Sequence, residues 1–391
     1  MGCRALWLAV PLLVAGVLPV ADAAAGPALV RGPYLQQTGS SSAYVVWQTD
    51  RPLAGAVLYG RRTADERVRA DPRRRLLHAV QLRGLSPATS YRYRVRAGRH
   101  TTRSFRLKTA KVGAAPFRFG VIGDYGSGRK PAYRNAALLR RETVEFLLST
   151  GDNVYPLGLE GEYTRALFRP FGSLMREIPL WPTLGNHDYG DEAEHHRRRR
   201  TARPYFRNFV LPRNPGRERF YSFRYANAKF LAIDDEVTSF APGSRQYRWI
   251  ESTLRRSRAC WTIPFFHHPV HPEYVDPGVP DIVKTAHLQR WLVPLFERHG
   301  VKLVLSGHEH NYVRSRSLIG ASENRRGVTY VLTGGGGAAL DPLPPSPSPL
   351  TAARGRFFHH MVFSVAGRQL RARTIDTAGE VRDQFRLTCG A

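Results

Sequence analysis

Between residues 26 and 110, apolar and polar positions alternate in short bursts, "SAYVVWQT", "GAVLYG", "LLHAVQLRGL", "SYRYRVRAG" and "RSFRLKT", with turn residues between them. A period of two turns one side of an extended segment toward a core and the other toward water. Segments of this kind spaced roughly 8–12 residues apart predict a small antiparallel sandwich. Past the connector "AKVGAAP" the pattern changes. Apolar runs ("FRFGVIG", "VEFLLSTG", "IPLWPTLG", "KFLAID", "WTIPFF", "KLVLSG", "VTYVLTGGGG") now alternate with the helical stretches "RNAALLRRETVE", "SRQYRWIESTLRRS" and "AHLQRWLVPLFERH". That alternation predicts an α/β layered domain over residues 116–391, completed by strands at 358–388.

The first 25 residues follow neither pattern. A short basic start, an apolar stretch interrupted by Pro11 and Pro19, and the small-residue "ADA" ending near Ala23 have the form of a secretory leader. The apolar run is shorter than the ~20 residues a membrane span needs. Export follows, to a secreted or periplasmic location, with no stable membrane insertion after cleavage. An N-terminal anchor is the competing reading.

The chain has 391 residues, enough for two domains with substantial cores. Its formal charge is +28, carried overwhelmingly by arginine. Such a protein attracts polyanions, phosphate esters included. Apart from Arg73 to Arg75 and Arg197 to Arg200, however, the arginines are scattered rather than gathered in one stripe, so no specific nucleic-acid partner is expected. Without the leader two cysteines remain, Cys260 and Cys389. In an oxidising compartment they can form one disulfide, and two buried free thiols are the alternative.

Five of the apolar runs end in residues able to bind a metal: Asp124 in "GDYG", Asp152 in "GDNVY", Asn186 in "GNHD", His267 in "FFHHPV", and the pair His308 and His310 in "GHEH". In layered α/β proteins the loops beyond the strand C-termini converge on one crevice, so distant groups can share a site. Each element alone has an ordinary explanation as a capped turn or a strand-edge histidine. Together, in this order and each at a strand end, they point to one metal centre.

The order Asp, Gly-Asp-x-x-Tyr, Gly-Asn-His-Asp, His, Gly-His-x-His resembles the calcineurin-like metallophosphoesterases, and Tyr155 narrows the likeness to the purple acid phosphatase branch. The resemblance extends to the first domain, which looks like a fibronectin type III-like sandwich with Trp47 between its sheets and "LRGLSPATSYRYRV" at a strand corner. The implied architecture is a four-layer αββα catalytic domain preceded by that sandwich. By the same likeness Asp124, Asp152, Tyr155 and His310 hold one metal, while Asp152, Asn186, His267 and His308 hold a second, with Asp152 bridging.

A phenol has a pKa near 10, so Tyr155 becomes an anionic ligand at ordinary pH only beside a strongly acidic ion, which predicts Fe(III) in the first site. The second suits Fe(II), Zn(II) or Mn(II). The resemblance implies hydrolysis of phosphomonoesters by a hydroxide generated between the two cations. His187 would assist the leaving group, and Asp188 would orient His187 or be an ordinary loop carboxylate. Phosphodiesters or nucleotides are alternative substrates of the same superfamily. A non-catalytic polyanion-binding surface protein is the alternative from a different class.

Two features depart from the family pattern. Phe266 stands where a small residue is common, and His268 beside His267 leaves two registers for the ligand. The alignment of "HHPV" with the family's His-x-Pro-Val selects His267. His268, His271 and His195 are expected at the surface, with contact to substrate from surrounding loops as the alternative. "GGGG" at 334–337 lacks the Lys-Ser/Thr of a nucleotide loop, and the Pro/Ser-rich stretch at 341–351 is too stiff and polar to be core.

Overall fold

The structure is a computed structural model, and it describes Gly2 and residues 29–190, 201–213, 216–273 and 281–390. The expected leader, apart from Gly2, together with His195 and Arg197 to Arg200, lies outside the described residues. Among those described, no helix is long and apolar enough to cross a membrane.

The N-terminal part is all strand, as its alternation predicts. One 19-residue strand, Ser42–Gly60, runs through the centre of its six-stranded sheet. Its first half pairs with Leu29–Gln36 and its second half with Ser90–Ala97, and the register shifts between Gln48 and Gly55 where it bends. Arg67–Arg83 lies along its other side. Trp47 is completely buried in this core and stacks on His78, with ring centroids 4.5 Å apart. The buried guanidinium of Arg31 joins the two parts: it pairs with Glu160 at 2.6 Å and also bonds Asn208 and Thr164. The Tyr34 hydroxyl donates to the Asn208 carbonyl nearby at 2.8 Å.

The rest of the chain forms two sheets. In one, the order is Val381–Thr388, Gln369–Asp376, His359–Ala366, Phe117–Ile122, Leu147–Ser149 and Leu180–Pro182, the last three mutually parallel. In the other, Ala228–Ala232, Trp261–Phe265, Leu303–Ser306 and Val328–Thr333 run parallel at the centre, with antiparallel strands at both flanks. The sheets face each other across an aromatic layer. Phe119 lies 4.8 Å from Phe363, 5.2 Å from Phe230 and 5.3 Å from Phe146, so rings from both sheets interdigitate. The central strands are buried on both faces and read as continuous apolar runs for that reason.

Helices lie on the outer faces. Lys130–Arg141 packs on the first sheet so closely that a Cβ on Gly120 would meet Leu139 and Leu147. It stops at Arg141 rather than running on through "ETVE", because Glu142 is already extended. Arg245–Arg255 starts at Ser244, whose hydroxyl accepts from the Tyr247 N–H, an N-cap bond. The stretch from Asp281 to Arg298 is continuously helical with one widened turn at Leu288–Leu292. A further helical run from Glu160 to Met175 and a short helix at Arg203–Asn208 fall where no helix was expected. Cys260 and Cys389 form a disulfide, with Cα atoms 5.6 Å apart.

Candidate metal centre

Asp124, Asp152 and Asn186 follow three adjacent parallel strands of one sheet, and His267 and His308 follow two adjacent parallel strands of the other. Their C-terminal ends open on one crevice between the sheets. The backbone there is held in unusual shapes: Asp124, Asp152 and His308 have φ of 56°, 49° and 76°, in the left-handed region that side chains rarely adopt. The glycines of the motifs leave space for the donors. A Cβ on Gly185 would collide with the Asp152 carboxylate, one on Gly307 with the Asp124 carboxylate, and one on Gly151 with the His267 ring.

The seven candidate donors gather in two lobes. In one, the Tyr155 hydroxyl lies 3.2 Å from Asp124 Oδ1 and 3.0 Å from His310 Nε2, and His310 Nε2 lies 3.7 Å from Asp124 Oδ1. In the other, His267 Nε2 lies 2.9 Å from Asn186 Oδ1, 3.2 Å from His308 Nδ1 and 3.5 Å from Asp152 Oδ1. Ligand atoms of Asp124, Asp152 and His267 all fall within 4.8 Å of one another, which joins the lobes.

Backbone carbonyls orient the imidazoles. His267 Nδ1 donates to the Thr150 carbonyl at 2.9 Å and His310 Nδ1 to the Ala339 carbonyl at 2.7 Å. Each ring is thereby left with Nε2 as a lone pair aimed into the crevice. His267 Nε2 then faces the Asn186 amide oxygen, another lone pair. Two acceptors at 2.9 Å have no reason to meet unless a cation or an added proton sits between them, so the donor set fits a metal.

Charge gives the same result. Burial, and then Asp152, push the Asp124 carboxyl well above the usual carboxylate range, although His267 opposes the rise. For Asp152 burial is outweighed by His267 and His187, and its pKa is lowered. Burial works against a charged His267, but Asp152 and Asp124 outweigh it and raise that pKa. The Tyr155 phenol is pushed well above 10 by burial and by both aspartates. A bare cluster thus relies on protons for balance, a role a cation fills better.

His187 sits beside the lobes. Its ring is 4.4 Å from that of Tyr155, its Nε2 is 3.9 Å from Asp152 Oδ2, and its Nδ1 is held by the Pro156 carbonyl at 2.7 Å. The expected Asp188–His187 pairing is not formed. Asp188 points away, accepting from Gly185 N at 3.0 Å, Asn153 Nδ2 at 2.8 Å and the Tyr163 hydroxyl at 2.8 Å. The short helical turn Asn186–Tyr189 sends adjacent side chains in different directions, so Asp188 braces the loop and Pro156 orients His187.

Of the adjacent histidines, His267 is the one whose ring faces the other candidate donors. His268 is not at the surface, as expected, but 1 % exposed, with Nδ1 2.9 Å from Glu236 Oε1 and 3.2 Å from Asp235 Oδ2. His271 is half-buried against Tyr330, and burial lowers its pKa to about 4. Asp235 and Glu236 escaped sequence reasoning. The only signal was a strand ending in "AIDDE", and an acidic strand end without Gly-Asp or His spacing reads as an ordinary turn.

Two sheets enclosing a crevice lined by carboxylates, imidazoles and a phenol define the architecture of a metal-dependent phosphoesterase. Residues 117–312 match the calcineurin-like phosphoesterase family, and residues 30–109 match the purple acid phosphatase N-terminal domain. The chain belongs to the calcineurin-like phosphoesterases and is a phosphoric ester hydrolase of the purple acid phosphatase type. It is 28 % identical to human acid phosphatase type 7, over 90 % of this chain and 87 % of that one. It is 23 % identical to Arabidopsis thaliana purple acid phosphatase 15, over 67 % of this chain and 54 % of that one. The fold matches a purple acid phosphatase from yellow lupin seeds with TM-score 0.76 at 17 % identity, over 93 % of this chain and 74 % of that one. The structure of PhoD matches with TM-score 0.72 at 15 % identity, over 91 % and 89 %.

Proposed function

We propose that the chain is an exported dinuclear phosphatase acting on phosphomonoesters, with a leader at residues 1–25, a sandwich at 26–110 and a catalytic domain at 116–391. Asp124, Asp152, Tyr155 and His310 hold one cation, and Asp152, Asn186, His267 and His308 hold the other. The observation that carries this reading is the convergence of seven donors, spread over nearly two hundred positions, into two lobes that share a carboxylate. When bound, such a pair of cations neutralises phosphate oxygens and activates a water molecule.

The residues supply the rest. Carbonyl-held imidazoles keep their lone pairs aimed at the cations, and the left-handed turns at Asp124, Asp152 and His308 fix the carboxylates and rings around them. Tyr155 carries a phenol whose proton is hard to remove in this setting, which favours Fe(III) in its lobe over a weaker acid. Neutral Asn186 and the two imidazoles suit Fe(II), Zn(II) or Mn(II) in the other. His187, with Nδ1 committed to Pro156, presents Nε2 to the crevice, and in its doubly protonated form the ring donates the Nε2 proton to the leaving oxygen.

The intact donor set argues against a lapsed, purely polyanion-binding protein. The test is elemental analysis of the purified protein together with phosphate release from an aryl phosphate. Two transition-metal equivalents and turnover are expected, and a metal-free, inactive chain refutes the proposal. Bis-aryl phosphate as the faster substrate would move the assignment to phosphodiesters.

A further inference from the structure

Directly behind the His267 lobe lies a buried cluster that the ligand set does not use. Asp235, at the end of the strand Ala228–Ala232, is 2 % exposed. Its two carboxylate oxygens divide between successive backbone amides: Oδ1 accepts from His267 N at 3.0 Å and Oδ2 from His268 N at 2.8 Å. The strand carrying Asp235 pairs in parallel with the strand that ends at Phe265, so the carboxylate bridges two neighbouring strand ends. The His268 ring leans on Asp235 and Glu236 on one side. On the other it covers the His308 ring, with centroids 4.0 Å apart and planes inclined by 33°. Asp235 therefore bears on both imidazoles of the lobe, on His267 through its backbone and on His308 through the packed His268.

Asp235, Glu236 and His268 also bring ligand atoms within 4.8 Å of one another. The ammonium of Lys284, 2.7 Å from Glu236 Oε2 and 3.2 Å from His268 Nε2, already supplies the positive charge there. A braced network in which Lys284 offsets one of the two carboxylate charges and bonds the His268 ring fits that geometry better than a third metal site.

We propose that Asp235 is a positioning residue for the His267–His308 lobe, fixing the affinity of that lobe for its cation without touching the cation. The inference rests on the dinuclear reading above. Asparagine at this position offers one acceptor oxygen where the carboxylate offers two, and sets an NH2 group against the second amide. Loss of a partner that orients a ligating histidine typically weakens metal affinity by about 10–100-fold.

The test is stepwise reloading of chelator-stripped protein with Zn(II), followed by metal counting. Wild type should take up two equivalents; uptake of none overturns the functional reading itself, and does so before any variant is made. In Asp235→Asn the concentration that half-fills one of the two equivalents should rise by about 10–100-fold, with the other equivalent unchanged. His268→Gln, which removes the ring covering His308 but leaves Asp235 on both amides, should shift the same equivalent by a smaller factor. Unchanged reloading of both equivalents in Asp235→Asn overturns the proposal. So does parallel weakening of both together with a fall in melting temperature, which is the mark of a merely structural residue. A third Zn(II) equivalent in wild type that disappears in Asp235→Asn also overturns it, by making Asp235 a ligand.

Discussion

The strand His359–Ala366 begins with two completely or almost completely buried histidines, and they predict how the fold responds to acid. His360 donates from Nδ1 to Asn135 Oδ1 at 3.0 Å, while its Nε2 has no hydrogen-bond partner among the described residues. His359 donates from Nδ1 to the Phe357 carbonyl and meets the Thr333 hydroxyl at Nε2. Burial lowers the His359 pKa to about 4; burial, then His359 and Arg373, lower that of His360 to about 3. Both folded values lie below the unfolded value near 6.5, so the unfolded chain binds more protons as pH falls. Stability is fully present above pH 6.5 and is lost as the pH drops toward 4 and then 3. Each histidine loses roughly 1.4 kcal/mol per pH unit in that window, hence about 2 kcal/mol each between pH 7 and pH 5. Urea unfolding of wild type and His360→Asn at both pH values measures the difference and removes the contribution of other groups. The variant should lose about 2 kcal/mol less than wild type over this interval. Equal losses in the two proteins refute a buried neutral His360.

Further outcomes are expected. Asp152→Ala should lose metal from both lobes and abolish phosphate release, whereas His187→Ala should keep its metal and lose about 10²–10⁴-fold in rate, by elemental analysis and kcat. Tyr155→Phe should lose the visible absorption band of the purified protein while remaining folded by circular dichroism; a band that persists excludes the phenol as ligand. Gly185→Ala, whose Cβ would collide with the Asp152 carboxylate, should lower metal content with little change in circular dichroism. Cys260→Ser should cost up to about 5 kcal/mol of unfolding free energy on the chain-entropy model for a 129-residue separation, read by denaturant unfolding under non-reducing conditions.

The pattern of apolar runs announced both halves of the fold, because strands buried on one face alternate and strands buried on both faces do not. Helices were harder to read. "RNAALLRRETVE" is amphipathic throughout, yet Glu142 is extended, where its carboxylate pairs with Arg118 and Arg373 from two strands of the sheet. The run from Glu160 to Met175 contains Pro170 and Gly172, which mask its periodicity. It is helical because it packs on the first helix and the N-terminal strand, with Arg31 as its polar anchor.

Most of the seven candidate donors were legible from a short, local signature, a glycine that makes room and then a carboxylate, amide or imidazole at a strand end, whereas Tyr155, His267 and His310 have no glycine directly before them. Their neighbours were not. Asp235 bonds amides 32 and 33 residues away, Pro156 orients His187 through a carbonyl that every residue possesses, and Asp188 turns from the histidine beside it to Asn153 and Tyr163. The pairing of Cys260 with Cys389 was likewise open until the chain was folded. Side-chain chemistry and local spacing are written in the linear order of residues, whereas backbone partners and the direction of a side chain depend on which strands the sheets bring side by side, and only the tertiary structure decides that.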